Sequence, residues 1–220
     1  MTTKLIGEPA RFVDAGALHA FVEGVEPLPR DDLLDSTLLG QLAATKVADR
    51  MREFTQWYEK YFSVLGQVGW RLDAFRLEPH KISTRTFTVE GIVRAVLAPR
   101  LTAGELELLD TTMDLLLSLP SDDPRRVVFD GQGGSPHAIN LQVGLRTAAC
   151  AWTVAVVLTT RETILDPLGQ RLRRRSLDGD VLTLVQQSTL NEEVYATVRE
   201  SVIEKLGDRR RELILRLEEA

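Results

Sequence analysis

With a single cysteine, Cys150, the chain can form no internal disulfide, so its fold rests on non-covalent packing alone. Histidine is nearly as scarce. His19, His80 and His137 share no metal-binding spacing, and one thiol cannot complete a zinc site. No apolar run reaches the roughly 18 residues of a membrane-crossing helix. The opening MTTKLIGEPARFVD has no apolar stretch of the kind that drives secretion. The expectation is a cytoplasmic protein with no metal and no cofactor, leaderless export staying open. Basic residues are outnumbered, 27 Lys and Arg against 32 Asp and Glu, which argues against a nucleic-acid partner and its broad basic face. A membrane surface or a second copy of the chain stays open as a partner.

Apolar surface, by contrast, is plentiful. At 220 residues and 44% hydrophobic content, the chain can bury a substantial core. Five aromatics, Phe54, Trp57, Tyr58, Tyr61 and Phe62, crowd one short stretch. Met51, Phe54, Tyr58, Tyr61, Leu65 and Val68 recur at alternating steps of three and four, while Arg52, Glu53, Gln56, Glu59, Lys60 and Ser63 fill the other side. That pattern predicts one amphipathic helix over 51–70 whose apolar face must be covered.

Around it the chain alternates in period. Residues 1–34 read as a partly irregular lead-in, with Asp14 capping a short helix through Ala17, Leu18, Phe21 and Val22 before Pro27 and Pro29 end regular structure. Asp35 or Ser36 caps a helix to about Asp49, its inward face Leu38, Leu39, Leu42, Ala43 and Val47. Gly69 stops the aromatic helix and a strand starts at Trp70. A second helical pair covers Val89–Leu97 and, after the capping box Thr102/Glu105, Leu106–Leu117. Residues 126–187 change to period 2: Leu141, Val143 and Leu145 alternate with Asn140, Gln142, Gly144 and Arg146, the pattern of a strand with one wet face. Ala155 and Val157 make the next strand apolar on both faces, hence central, and Asp178-Gly179 signals a hairpin. Asn191 or Thr189 then caps a last long helix, ended by Gly207. The order predicts an α+β fold, an antiparallel β-sheet flanked by helical hairpins in three layers (α/β/α), with 35–220 as a single domain.

No set of residues assembles a catalytic, cofactor or metal site. The segment Asp130, Gly131, Gly133, Gly134 and His137 lacks the Walker lysine and leads into a strand, so it is a plain loop or a ligand-contacting one. His80, His137 and Asp130 would meet as an acid–base group only if the fold brought their loops together. Cys150 reads as a small buried hydrophobe, with a nucleophile or lipidation site the sharper alternative. Arg171, Arg173 and Arg175 share one strand face, where they guard a sheet edge or, with Arg209–Arg211, form a patch for an anionic surface. Trp57, Tyr58 and Tyr61 are core aromatics unless their helix detaches to meet a bilayer interface.

The pieces Asp35-Ser-Thr-Leu-Leu-Gly-Gln-Leu-Ala-Ala44, Trp57-Tyr-x-x-Tyr61, Val64-Leu-x-x-Val-Gly-Trp70 and Thr189-Leu-Asn-Glu-Glu-Val-Tyr195 resemble a family of uncharacterised bacterial and fungal proteins. The resemblance spans roughly residues 33–215 and implies no site. In architecture alone, helical hairpins around an antiparallel sheet are similar to the cytolytic delta-endotoxins and related small α/β virulence factors, which implies helical layers that shield a sheet until membrane contact. Three functions follow as expectations: a non-enzymatic soluble binding protein, a membrane-active cytolysin-like protein, or an enzyme built on the loop His and Asp residues.

Overall fold

The computed structural model describes residues 8–72, 78–79, 89–135, 138–147, 150–160 and 179–218. Their strands are β1 (Ala10–Asp14), β2 (Ala17–Phe21), β3 (Trp70–Leu72), β4 (Glu78–Pro79), β5 (Gly134–Ser135), β6 (Ala138–Arg146), β7 (Ala151–Thr160), β8 (Gly179–Leu190) and β9 (Ile214–Arg216). The helices are α1 (Pro27–Thr45), α2 (Phe54–Gln67), α3 (Val89–Leu97), α4 (Ala103–Ser118), α5 (Pro124–Gly133), α6 (Glu192–Leu206) and α7 (Arg209–Leu213). The sheet runs β3-β8-β7-β6-β2-β1-β9, with β4 also on β8 and β5 on β6, and its ends do not meet. Every pairing is antiparallel except β2 with β6, where Leu18 lies opposite Val143.

Helices cover both faces, as the α/β/α expectation requires. On one face α3, α4 and α5 bring Ile92, Val93, Leu109, Met113, Leu116 and Phe129 onto Leu141, Val143, Leu145, Val154, Val156 and Leu158. On the other, α1, α2 and α6 bring Leu38, Trp57, Tyr58, Tyr61, Tyr195 and Val202 onto Ala155, Val157 and Leu184. Local signals set the boundaries of these helices. The Thr102 and Glu105 side chains cap α4 reciprocally, and Asn191 accepts from the Val194 N–H at the start of α6. Gly69, at φ +99, ends α2 in a conformation open to glycine but strained for other residues.

Four local expectations are corrected. The short helix over Ala17–Val22 is replaced by the hairpin β1–β2, because Phe12 and Phe21 pack edge to face at 5.8 Å and β2 is held by the distant β6. Pro27 and Pro29 open α1 instead of ending structure; proline at the first helical positions needs no N–H partner there. Asp35 and Ser36 are therefore interior to α1, and its buried face is Leu34, Leu38, Gln41 and Ala44, leaving Val47 exposed. Residues 124–133, expected at least in part as sheet, form α5, with Phe129 fully buried. The Asp178-Gly179 turn and the strand before it lie outside the described residues, apart from Gly179 at the start of β8.

Helix α1 meets α2 where Gly40 faces the Tyr61 ring. A Cβ there would stand 2.9 Å from Tyr61 Cδ2 and 3.3 Å from Leu65 Cδ2. Gly40→Ala should therefore lower stability by about 1–2 kcal/mol in urea unfolding, overpacking outweighing the helix-propensity gain. Increased stability would show that the two helices separate without cost.

Candidate functional site

The polar row of β6 is not wet. Asn140, Gln142 and Arg146 are each 0–1% exposed, sealed beneath α2 and the end of α1. The tyrosines of the aromatic helix reach down to this row. Tyr58 O–H donates to Asn140 Oδ1 at 2.6 Å, and Gln142 Nε2 donates to the Tyr61 hydroxyl at 3.0 Å. Asn140 Nδ2 donates to the Arg50 carbonyl at 3.0 Å. The correction has a plain cause: alternation reports polarity, and polarity on a strand reports water only where nothing covers the strand.

At the centre, Asp14, His19 and Arg146 line up across β1, β2 and β6. Arg146 Nη2 lies 3.1 Å from His19 Nδ1, and its Nη1 donates to Thr153 Oγ1 at 3.2 Å and to the Trp152 carbonyl at 3.3 Å. Arginine only donates, so Nδ1 accepts and the ring proton sits on Nε2. That atom faces Asp14 Oδ2 at 3.3 Å, out of hydrogen-bond alignment. Burial, with the Arg146 charge adding to it, holds His19 below its ordinary pKa, so the imidazole is neutral. Asp14 Oδ2 accepts from the Thr37 hydroxyl at 2.5 Å, and the Asp14 carbonyl from Gln41 Nε2 at 2.9 Å. Arg50 donates to Gln41 Oε1 and to the Gly16 carbonyl, with its guanidinium 4.6 Å from the Trp57 ring centre.

This layer is incompletely satisfied. Asp14 Oδ1, His19 Nε2, Arg50 Nε, Gln142 Oε1 and Arg146 Nε are buried without a hydrogen-bond partner, a costly arrangement for a purely structural core. Asp–His–Arg is an acid–base set in composition. Each member is 0–1% exposed, however, so no substrate reaches it in this state.

A second charged cluster lies wholly within the helical layer. Asp32 of α1 takes a two-pronged contact from Arg199 of α6 at 2.7 and 2.8 Å. Asp35 of α1 accepts from Arg210 of α7 at 2.5 Å. Burial outweighs that contact and pushes the Asp35 carboxyl up to about 6.

The residues singled out from sequence scatter. Asp130, Gly131 and Gly133 belong to the end of α5 and Gly134 opens β5, so the glycine-rich segment is a helix end running into a strand. His80, His137, Arg171, Arg173 and Arg175 lie outside the described residues. Cys150 is half-buried, its Sγ 3.7 Å from Thr147 Oγ1. Trp57, Tyr58 and Tyr61 are fully buried, Trp57 stacking on Tyr61 at 5.3 Å and donating from Nε1 to Thr45. Asp14, Arg50 and Arg146 carry the polar layer without being singled out. The signal for them was the strand next door: Ala155 and Val157, on the face of Asn140 and Gln142, imply a cover. Among the described residues no His, Cys, Asp and Glu group is arranged to hold a metal.

No family model and no curated protein matches the chain. Among solved structures, it is similar to one titled delta-endotoxin, with 10% identity and a TM-score of 0.41, over 89% of this chain and 92% of that one. It is also similar to the Evf virulence factor, with 9% identity and a TM-score of 0.35, over 90% of this chain and 82% of that one.

Proposed function

We propose that this protein acts on membranes by exposing the β6–β7–β8 unit from between its two helical layers. The observation that supports it is the pattern on those strands. They are 9, 10 and 12 residues long, against about 9–11 for a tilted strand crossing a bilayer. One face carries Leu141, Val143, Leu145, Val154, Val156, Leu158, Val181 and Val185. The other carries Asn140, Gln142 and Arg146 on β6, and on β7 and β8 mixes Thr153, Gln186 and Ser188 with Ala155, Val157 and Leu184, all buried. A sheet selected only to be covered on both sides reads apolar on both. On β6, apolar on one face and polar on the other is the dyad of a strand between lipid and water. No described helix is long and apolar enough to cross a membrane, so the strands are the segments that fit this role.

Dye release from vesicles tests it. Concentration-dependent leakage is expected, accompanied by loss of protection in the α1–α2 hairpin. Vesicles of neutral and of anionic lipid that neither bind nor leak from about pH 5 to about pH 8, the range in which a histidine titrates, would overturn it.

A soluble binding role, the second reading, is favoured by one surface. Leu39, Leu42, Val64 and Val68 floor a groove of about 570 Å³ whose charged lining, Lys46, Lys60, Lys205 and Arg209, is wholly basic. Such a surface suits an acidic partner.

A further inference from the structure

We propose that the Asp14–His19–Arg146 line is an acid-operated latch, which holds the α1–α2–α6 layer on the sheet while His19 is neutral and releases it when His19 takes a proton. This rests on the membrane reading for its purpose but not for its physics. Protonating His19 in place would set an imidazolium 3.1 Å from the Arg146 guanidinium in a layer sealed from water. Two like charges at that distance in a low-dielectric site are strongly repulsive. The hydrogen bond between them is lost at the same step, because Nδ1 becomes a second donor facing a donor.

Among the described residues Asp14 of β1 is the one carboxylate against the His19 ring, at 3.3 Å. From β6 comes Arg146, with Cys150 beyond it. The facing part of α1 presents Thr37 and Gln41, which do not titrate in this range, and α2 presents Tyr61 and Tyr58, both held above their ordinary pKa by burial. Arg50 sits between α1 and α2 on the Gly16 carbonyl. Gly144 lies under the pair: a Cβ there would stand 2.8 Å from His19 Nδ1 and 2.9 Å from Arg146 Nη2.

The sign follows from linkage. His19 in the closed state sits below its ordinary value of 6.5, so the open state binds more protons as pH falls and closure weakens through and below 6.5. Asp35 titrates in the opposite sense, its closed-state value near 6 favouring the compact form on acidification. Its partner Arg210 is in α7, which runs directly into β9 of the sheet, and Asp14 of β1 also acts on the carboxyl, so Asp35 changes surroundings when the layer lifts and opposes the histidine.

Native-state hydrogen exchange on the full chain without lipid tests the latch. Corrected for intrinsic rates, protection of amides in Tyr58–Leu65 of α2 should fall from about pH 7 to about pH 5, by less than the roughly 25-fold limit that one histidine of ordinary open-state pKa can supply, because Asp35 offsets part of it. Protection of Leu109–Leu116 in α4, on the opposite face, should stay unchanged. His19→Gln should abolish the acid-driven loss, and Asp35→Asn should enlarge it toward the one-histidine limit. Equal loss in α2 and α4, or none in either, overturns the latch in the unmodified protein, whether or not the variants fold. Leakage that ignores pH overturns it while sparing the membrane reading. Acid-driven opening with no leakage does the reverse.

Discussion

Arg146→Met should cost about 3–5 kcal/mol at neutral pH, and part of that loss should return on acidification. The first half is the ordinary consequence of removing one member of a buried charge set: the Asp14 carboxylate stays in a sealed layer without its compensating cation. The second half comes from His19. In the natural chain, burial and Arg146 hold the imidazole below its ordinary pKa, so His19's contribution is present above about pH 6.5 and declines as pH falls. Without Arg146, Asp14 is the one charge left against the ring, at 3.3 Å from Nε2, and it favours the imidazolium. Burial still lowers the histidine, so its folded-state pKa rises only toward the unfolded value. Less of its contribution is then lost on acidification, and the gap between the natural chain and the variant narrows as pH falls through about 6.5. Urea unfolding of both proteins at about pH 5.5 and about pH 8 reads the effect directly. The acid loss due to His19, most cleanly the difference between each protein and its own His19→Gln derivative, should be smaller in the variant. An equal loss in both would mean that Arg146 does not set the state of the histidine. The variant also separates latch from scaffold, since acid should open it less than the parent.

Much of the layered plan is legible in the residues, because it rests on local signals. Thr102 and Glu105 announce the start of α4, Asn191 that of α6, and Gly69 the end of α2, each through a contact a few residues long. The aromatic stripe gives α2 its buried face from the 3.6 period alone. What escapes is what distant partners decide. The hairpin β1–β2 stands as sheet because β6, more than a hundred residues on, pairs with β2 in parallel, and no local pattern in Ala17–Phe21 carries that information. Pro27 and Pro29 are ambiguous by nature, since proline ends one helix and begins the next. The candidate site was half visible. Asn140, Gln142 and Arg146 were on view as a polar row, and Ala155 and Val157 already implied a cover over the same face. Joining the two gives a buried polar layer. Only the structure shows that Asp14 and His19, from the opposite end of the chain, complete it.

Trp57→Ala should be the most damaging change in the aromatic helix, and its effect on membranes should run against intuition. The indole is fully buried, stacks on Tyr61 at 5.3 Å, meets Tyr58 edge on at 4.9 Å and lies 4.6 Å from the Arg50 guanidinium. Truncating it removes that packing, leaves a cavity and strips the aromatic cover from a buried cation. The expected cost is about 3–5 kcal/mol in urea unfolding. If α2 is a cover that must lift before the sheet meets lipid, weakening the closed state raises the open population. Leakage by the surviving folded fraction of Trp57→Ala should then rise at neutral pH and lose most of its dependence on acid. If Trp57 is instead the group that anchors a released helix at the bilayer interface, the same substitution should lower leakage. Trp57→Phe sharpens the contrast, because it keeps most of the ring packing and gives up the N–H that Thr45 accepts. A cover predicts near-parental leakage for Phe and excess leakage for Ala. An anchor predicts reduced leakage for both, since the interface favours the amphipathic indole over a phenyl ring.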